Sequence, residues 1–419
     1  MRTNKRSIWI FRDNIPTPDL PGATRQYDFA KELERKGYQV TIFTASFSYM
    51  EHRDTKLFDD KSWKIENIDG VKFVWFKSFP FQKNDWRRVI NIIDISMRSF
   101  WLGLRICRLN NEITPPDVVI GFSVPLIQPL AAYYVARSFK SKYIIEVGDL
   151  WPQTIVDMGV ISKNNPIVKL LYAIEKFLYL RADKIITALP FAEEYIGSLS
   201  IDIVKKEKIV WIPSGIDIRK YQNIKGKTST DQFKVIYLGA HGPSNALDIL
   251  LDAAKIVYEE GYQNIYFVLI GDGSEKKELI LYRNKLGLSN VEFQDPVPKS
   301  QVTQVLADAD ACVYTYRNLG LLKYGINPNK LFEYAAASRP IIFVSNAPNN
   351  IVKEAQCGIS IDPGDPKKLA EAVIYLYKMP TEERLAMGRR GFQYVREHHS
   401  LHVLGNKFEK VIVEVIRKG

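Results

Sequence analysis

The sequence predicts an α/β protein of two domains, each a doubly wound parallel sheet flanked by helices. Apolar, strand-like runs alternate with amphipathic helical runs along the chain, which is the pattern of βαβ units. Residues 213–232 interrupt this pattern with two glycines and no periodic apolar face. A length of 419 residues also exceeds what one ordinary core encloses. We therefore expect two Rossmann-like halves joined near residue 213.

Each half has its own series of strands. In the first half, apolar runs predict strands at residues 7–12, 39–44, 71–76, 117–123, 142–147, 184–189 and 208–213. In the second half, they predict strands at residues 233–239, 264–271, 290–293, 311–316, 340–345 and 358–362. Helical patterns fill most of the intervals. Ligands of doubly wound sheets bind beyond the carboxyl ends of the strands, so the loops there are where candidate residues are sought.

Composition narrows the class of protein. The net charge of +11 favours anionic partners, but no zinc-finger spacing, RNP-type motif or Gly-Arg tract supports nucleic acid as the partner. Three cysteines without paired spacing fit a reducing compartment and predict neither a disulfide nor a zinc framework. We see no secretory signal and no run of 18 apolar residues, so we expect a cytoplasmic protein without a membrane span.

The loop after the first strand contains a candidate ligand-binding helix start. Gly22 precedes a helix that begins near Thr24, and a small residue there lets a ligand approach the helix N-terminus. Arg25 adds a positive charge to the first turn, and we expect Gly22 and Arg25, together with Trp151 of a later loop, to bind the acceptor. The alternative is a plain turn with an N-cap threonine.

Two carboxylates follow the strand at 142–147. Glu146 and Asp149 lie at the strand exit beside Trp151. Carboxylates in that position are candidates for a general base or for binding hydroxyl groups. The alternative is that Asp149 caps the next helix and Trp151 belongs to the core.

Glycine-flanked turns end two strands of the second half. Gly239 precedes His241 at a helix start that can receive phosphate, and His241 is a candidate donor to it. The alternative is a histidine that only hydrogen-bonds locally. Gly271 and Asp272 form a turn that suits the close approach of a flat base.

The stretch NPNKLFEYAAAS, residues 327–338, contains a charge conflict. Lys330 lies in the first turn of a predicted helix, where the helix dipole disfavours a cation. A bound anion would remove the conflict. Glu333 shares its face at i+3 and can accept both hydrogen bonds of a vicinal diol. The alternative is an exposed Lys–Glu pair.

The pattern of residues 84–110 predicts a basic amphipathic helix with tryptophans toward both ends. Such a helix suits the surface of an anionic membrane. The residues that we expect to contact the membrane are Trp86, Arg87, Arg88, Phe100 and Trp101. The alternative is a buried packing helix.

Taken in order, these motifs resemble the family 4 retaining glycosyltransferases of the GT-B fold. The chain is most similar to the bacterial L-fucosamine transferase-like enzymes of surface-polysaccharide (O-antigen, capsule or colanic acid) assembly. The resemblance covers nearly the whole chain and rests on GATRQYDFAKELERKGYQVTIFT, EVGDLWPQTIVDMG, LIGDGSEKKEL and NPNKLFEYAAASRPII, among other segments. It implies an acceptor-binding domain (residues 1–213) and a donor-binding domain (214–395) that face a central cleft. A last helix (396–419) is implied to cross back to the first domain.

The resemblance also implies roles for single residues. They are Glu333 for the ribose hydroxyls, Asn329 and Lys330 for the diphosphate, the Gly271–Asp272 turn and Val297 for the base, and Gly22 for the region of donor phosphate and acceptor. Two departures stand out. Gly325 occupies the position of a family glutamate that touches the donor sugar, and the loop after Gly239 lacks the Arg and Lys that many members carry there.

The implied reaction moves a sugar, expected to be an N-acetylated amino sugar, from a UDP-sugar to a polyprenyl-diphosphate-linked saccharide. We expect Lys330 and Asp149 to be catalytic, with retention of configuration and no metal or cofactor. The enzyme would lie on the inner face of the plasma membrane. Two alternatives stay open: a GT-B-fold UDP-N-acetylglucosamine 2-epimerase, and a non-catalytic nucleotide-sugar-binding partner subunit.

Overall fold

The protein folds into two compact units. The computed structural model describes residues 5–15, 24–48, 52–56, 58–59, 61–83, 85–200, 205–222, 232–318 and 320–417. Unit 1 comprises Met1–Pro213 and Leu404–Gly419, and unit 2 comprises Ser214–Val403. Each unit has one large sheet with helices packed against it.

Unit 1 is built on an eight-stranded sheet of order β10-β9-β8-β7-β1-β2-β6-β5. Its strands are β1 (Ser7–Phe11), β2 (Gln39–Ala45), β5 (Trp63–Ile68), β6 (Val71–Phe76), β7 (Val118–Ser123), β8 (Lys142–Val147), β9 (Lys184–Thr187) and β10 (Ile209–Trp211), with β3 (Phe47–Ser48) and β4 (Arg53–Asp54) as a separate ribbon. Its helices are α1 (Arg25–Arg35), α2 (Trp86–Leu109), α3 (Ile127–Phe139), α4 (Gln153–Asp157), α5 (Pro166–Arg181) and α6 (Ala192–Ser200). Within the eight-stranded sheet, all neighbouring strands pair in parallel except β5 with β6.

The antiparallel edge of this sheet is absent from the sequence-based prediction. Strands β5 and β6 form a hairpin around Asp69 and Gly70, whose φ angles are 51° and 86°. An Asp-Gly pair is typical of such a turn. The β5 side chains are mostly half-buried, so polar and apolar residues mix and the strand does not appear as an apolar run.

Unit 2 is built on a six-stranded, fully parallel sheet of order β13-β12-β11-β14-β15-β16. Its strands are β11 (Phe233–Leu238), β12 (Ile265–Ile270), β13 (Val291–Gln294), β14 (Ala311–Thr315), β15 (Ile341–Val344) and β16 (Gly358–Ile361). Its helices are α7 (Leu247–Glu259), α8 (Lys276–Lys285), α9 (Val302–Ala307), α10 (Asn329–Ala336), α11 (Ile351–Glu354), α12 (Pro366–Lys378) and α13 (Thr381–His398). Separate apolar cores cover the two faces of the sheet.

The last helix, α14 (Leu401–Arg417), returns to unit 1. The Phe408 ring stacks on Phe29 of α1 at 4.9 Å, and Lys36 pairs with Glu409 at 2.7 Å. The return begins at Leu404 and not at residue 396. The reason is that α13 packs in unit 2, where Gly391 lies against Cys357.

Within the residues that the structure describes, no helix combines the length and apolar character needed to cross a membrane.

Candidate active site

In unit 2, the loops that follow β11 and β12 are in direct backbone contact. The Gly239 N–H donates to the Ile270 carbonyl at 2.9 Å, and the His241 N–H donates to the Asp272 carbonyl at 2.8 Å. A Cβ at Gly271, where φ is 150°, would lie 1.9 Å from the Gly239 oxygen. Glycine is therefore required at position 271 for the two strand ends to meet.

Lys330, on the first turn of α10, extends into this junction. Its Nζ donates to the Tyr237 hydroxyl at 2.6 Å and to Asn245 Oδ1 at 3.0 Å, and it lies 4.5 Å from the centre of the Tyr237 ring. A Cβ at Gly239 would lie 2.3 Å from Lys330 Cε. The glycine thus makes room for the lysine side chain.

The charge of Lys330 is not matched by a carboxylate. No described Asp or Glu comes within ion-pair distance of its Nζ, although Glu333 on the same helix exerts a weaker attraction. Burial lowers the pKa of Lys330 to about 8. An ammonium group has three N–H donors and two are used here, so one remains for a ligand. A partly buried cation without a counterion favours an anion.

Glu333 lies one turn after Lys330 and has an unused carboxylate. No described residue donates a hydrogen bond to it. Burial raises its pKa, against the opposing effects of Lys299, Lys220 and Lys330. Asn329 is exposed at the first position of α10. The helix start therefore presents an exposed amide, a lysine and a free acceptor within five residues.

His241 is enclosed by the protein. The side chain is fully buried beside the rings of Tyr237 and Phe293, and neither ring nitrogen has a hydrogen-bond partner. Burial, with a smaller effect of Lys276, lowers its pKa to about 4. Contrary to a surface donor role, the ring in this conformation is neutral near pH 7 and does not face solvent.

The candidate base-binding residues lie on two loops joined by Lys276. Its Nζ donates to the Gly271 carbonyl at 2.9 Å and to Asp295 Oδ1 at 2.8 Å. Asp272 is exposed, and Val297 is half-buried against the core. The lysine thus holds the Gly271 turn to the loop that contains Val297.

The structure gives a reason for the glycine at position 325. Gly325 has φ of 89°, a left-handed conformation that glutamate adopts only with strain. The next residue, Ile326, is held through its backbone by the Asn349 side chain at 2.9 and 2.7 Å. The backbone conformation therefore favours glycine over a residue with a carboxylate side chain at this position.

In unit 1, Asp149 is half-exposed and acts as a local cap. Its Oδ1 accepts from the Leu150 N–H and the Thr154 hydroxyl, both at 2.9 Å. The other carboxylate oxygen accepts none of the hydrogen bonds between described residues, so a ligand hydroxyl can still bind it. Trp151, two residues on, is half-buried. Gly22 lies outside the described residues.

Arg25 does not face a ligand. It is only 7% exposed, and its Nε donates to Glu146 at 2.6 Å while one terminal nitrogen donates to the Ile212 carbonyl at 2.7 Å. The other terminal nitrogen donates to the Pro213 carbonyl. The predicted acceptor role of Arg25 needs correction for this conformation, because the guanidinium is buried and each of its three nitrogens donates a hydrogen bond within unit 1.

Helix α2 has an exposed apolar face along its length. Trp86 is 61% exposed and Trp101 is 47% exposed, and Arg87 lies over the Trp86 ring at 5.2 Å. Phe100 is half-buried. The prediction for Arg88 needs correction, because that side chain pairs with Asp13 at 3.3 Å and donates to Asn91 at 2.8 Å within the unit.

Tyr237 and Asn245 were not identified as site residues from the sequence. Tyr237 lies in the apolar strand β11 and is typical of a core residue there, so no local pattern marks it. Arg317, which follows β14, pairs with Asp248 at 2.9 Å. Among the described residues, no group of three or more His, Cys, Asp or Glu side chains is arranged to hold a metal ion.

Comparison with known proteins assigns both units to sugar-transfer families. A glycosyl transferase 4-like domain model matches residues 22–215, and a glycosyl transferases group 1 model matches residues 232–379. The probable glycosyltransferase WbjE from Pseudomonas aeruginosa is 22% identical over 285 residues, covering 64% of this chain and 67% of that protein.

Solved structures share the fold at low sequence identity. Sucrose-phosphate synthase from Thermosynechococcus elongatus aligns over 99% of this chain and 100% of its own, with a TM-score of 0.73 and 13% identity. HepE from Anabaena, solved with UDP and glucose, aligns over 98% and 100%, with a TM-score of 0.66 and 13% identity. WaaG, a glycosyltransferase involved in lipopolysaccharide biosynthesis, aligns over 97% and 99%, with a TM-score of 0.65 and 16% identity. Together, the two matched models and the two-sheet architecture show that this chain is a glycosyltransferase of the GT-B fold.

Proposed function

We propose that the protein is a retaining glycosyltransferase that moves a sugar, an N-acetylated amino sugar in our hypothesis, from a UDP-sugar to a polyprenyl-diphosphate-linked saccharide. The unmatched charge of Lys330 at the start of α10 carries this proposal. It lies where β11, β12 and α10 meet, the position in which a doubly wound sheet binds its ligand. The UDP bound in the HepE structure supports the choice of nucleotide.

Each donor group has a matching feature in unit 2. The diphosphate would lie against the N–H groups of the α10 start, Asn329 and the remaining N–H of Lys330. The ribose diol would donate to Glu333, whose carboxylate has no other donor among the described residues. The base would lie against the Gly271–Asp272 turn and Val297.

The chemistry follows from charge placement. As the bond between the sugar and the diphosphate breaks, the electron pair leaves with the diphosphate oxygen and the sugar gains oxocarbenium character. Lys330 and the helix start stabilise the departing negative charge, which is the electrostatic effect that usually dominates. The acceptor hydroxyl attacks from the same face, and its proton passes to the donor phosphate. Asp149 would orient that hydroxyl. Because protein groups supply the positive charge, we expect transfer to persist in EDTA.

The acceptor side of the proposal rests on the surface of unit 1. Helix α2 exposes Trp86, Val89, Ile93, Met97 and Trp101 beside Arg87 and Arg105. Segment 158–181 exposes Ile167 and Leu170 beside Lys163 and Lys169, and its one acidic residue, Glu175, is buried. Exposed apolar and basic side chains suit an anionic bilayer. A lipid-linked acceptor on the inner face of the plasma membrane, in surface-polysaccharide assembly, fits this arrangement.

One experiment tests the reaction. The protein is incubated with UDP-N-acetylglucosamine, with and without polyprenyl-diphosphate-linked sugar in vesicles, and products are followed by NMR. We expect acceptor-dependent release of UDP and a product that keeps the donor's anomeric configuration. An inverted product would overturn retention. A free epimerised sugar nucleotide would point to the 2-epimerase reaction instead. A thermal-shift panel of UDP-, GDP- and dTDP-sugars identifies the nucleotide.

A further inference from the structure

The chain just before α10 is bonded to the segment through which the polypeptide enters unit 2. Asn327 Oδ1 accepts from the Ser214 N–H at 2.8 Å, and Asn327 Nδ2 donates to the Ser214 hydroxyl at 2.9 Å. Ser214 is the first residue of unit 2 and is 4% exposed. Both the oxygen and the nitrogen of the Asn327 side-chain amide are therefore hydrogen-bonded to Ser214.

Helix α10 also contacts the segment through which the chain leaves unit 2. The Phe332 ring stacks on His399 with centroids 4.4 Å apart, and both side chains are buried. The two connecting segments are bonded to each other, because Ile216 donates to the His399 carbonyl at 2.9 Å and Leu401 donates to the Ile216 carbonyl at 3.0 Å. A Cβ at Gly215 would lie 2.7 Å from Leu401 Cδ2 and 3.3 Å from Leu401 Cα, so the two segments approach each other closely at this glycine.

The residues that make these contacts are close in sequence to the proposed donor-binding residues. Asn327 precedes Lys330 by three residues, and Phe332 directly precedes Glu333. A helix start that is fixed to both connecting segments cannot shift toward a ligand without displacing them.

We propose that Asn327 is a positioning residue that couples the occupancy of the donor site to the first connecting segment, residues 213–216. The inference rests on the proposed function, because it requires a nucleotide at Lys330 and Glu333. Asn327 itself acts through Ser214 and is not assigned a contact with the donor. When the nucleotide orders the start of α10, the two bonds to Ser214 order the connection with it.

Asn349 provides a matched control. Its Oδ1 accepts from the Ile326 N–H at 2.9 Å and its Nδ2 donates to the Ile326 carbonyl at 2.7 Å. It makes the same kind of two-bond amide contact one residue away, but to a loop inside unit 2. Its loss removes as many hydrogen bonds without touching the connection.

Hydrogen exchange of the full-length protein with and without UDP tests the coupling. In the wild type, we expect UDP to slow exchange in peptides covering 327–334 and in peptides covering 212–217. Asn327→Ala should keep the first effect and lose the second, with kcat about fivefold lower and KM within about twofold. Asn349→Ala should keep both effects. Ser214→Ala, which removes one of the two bonds from the other side, should show a smaller loss at 212–217 and carries the test if Asn327→Ala does not fold.

The outcomes separate this inference from the proposed function. Slower exchange at 327–334 alone in the wild type would overturn the coupling and leave the donor site standing. No effect of UDP at 327–334 would overturn the donor site and the coupling together. The role of Asn327 would also be overturned if the Asn327→Ala variant kept a wild-type kcat and UDP still slowed its exchange at 212–217.

Discussion

The two units treat buried charge in opposite ways. In unit 1, Arg25 and Glu146 are more deeply buried than Lys330 but pair with each other at 2.6 Å. In unit 2, Lys330 has only neutral hydrogen-bond partners, and burial lowers its pKa to about 8. A paired charge is satisfied by the fold, whereas an unmatched one remains available to a ligand. The difference supports our proposal that unit 2 binds the anionic donor, whereas the buried pair of unit 1 is structural.

The units also differ in their exposed apolar surface, since more large hydrophobic side chains are exposed in the described part of unit 1 than in that of unit 2. Among the described residues, the large hydrophobic side chains exposed in unit 2 are Leu281, Tyr375 and Val403. Those exposed in unit 1 are more numerous and include Trp86, Val89, Ile93, Met97, Trp101, Ile167 and Leu170. Exposed apolar surface beyond scattered residues indicates an interaction surface. In our proposal, donor recognition therefore depends on an unmatched charge and acceptor recognition on exposed apolar surface.

The largest expected effect on activity is that of Lys330→Ala. Removing the charge that stabilises the departing diphosphate should lower kcat about 100-fold or more, as for other electrostatic groups at reacting centres. The midpoint of thermal unfolding should change little. Lys277→Ala on exposed α8 is the control and should leave kcat unchanged. Turnover of Lys330→Ala within a few-fold of wild type would remove Lys330 from the mechanism.

Arg25→Met should lower the free energy of unfolding and leave UDP binding largely unchanged. It leaves Glu146 buried without its partner, which costs about 3–5 kcal/mol of unfolding free energy. Denaturant unfolding measures this, and the double variant with Glu146→Gln should recover part of the loss. Affinity for UDP should stay within about twofold at temperatures where the variant is folded. A selective loss of UDP affinity with unchanged stability would restore a ligand-binding role to Arg25.

Glu333→Gln should weaken UDP binding about tenfold, because a neutral amide accepts less strongly from the ribose diol than a carboxylate does. Calorimetry with UDP and with 2′-deoxy-UDP provides the specific readout. The wild type should prefer UDP, and the variant should bind the two nearly equally. Equal preference in both proteins would place the ribose elsewhere.

Trp101→Ala combined with Ile93→Ser should lower binding to anionic vesicles several-fold, since both side chains lie on the exposed face of α2. Sedimentation with vesicles is the measurement. Leu281→Ser combined with Tyr375→Ser removes comparable exposed apolar groups from unit 2 and should have no effect. Equal losses for both pairs would mean that exposure alone, and not the α2 surface, governs the binding.

Much of the fold follows from local sequence signals. The buried parallel strands appear as continuous apolar runs, and both sheets form near the predicted residues. The hairpin strand β5 was missed because its half-buried side chains mix polar and apolar residues. The predicted domain boundary at residues 395/396 falls inside helix α13. The helix belongs to unit 2, which only its packing against Cys357 reveals.

The candidate site is harder to predict from the sequence than the fold is, because its key contacts join residues that are far apart in the chain. The charge conflict at Lys330 can be predicted from its place in the first helical turn. Its partners Tyr237 and Asn245 lie 93 and 85 residues away and have no pattern of their own. Arg25 shows the opposite problem, since a basic residue at a helix start has the same local sequence whether it binds a ligand or carbonyl groups such as that of Ile212.

The central claim is that Lys330 is the cation that holds the diphosphate, and the pH dependence of UDP affinity tests it most directly. The folded protein has a lowered pKa at Lys330, about 8, so the cation is present below that pH and is lost as the pH rises through it. We predict by calorimetry that wild-type affinity for UDP is constant up to about pH 7 and falls progressively as the pH rises through about 8 toward 10, whereas Lys330→Met binds weakly at every pH. An affinity that stays flat from pH 7.5 to 10 in the wild type would contradict the account.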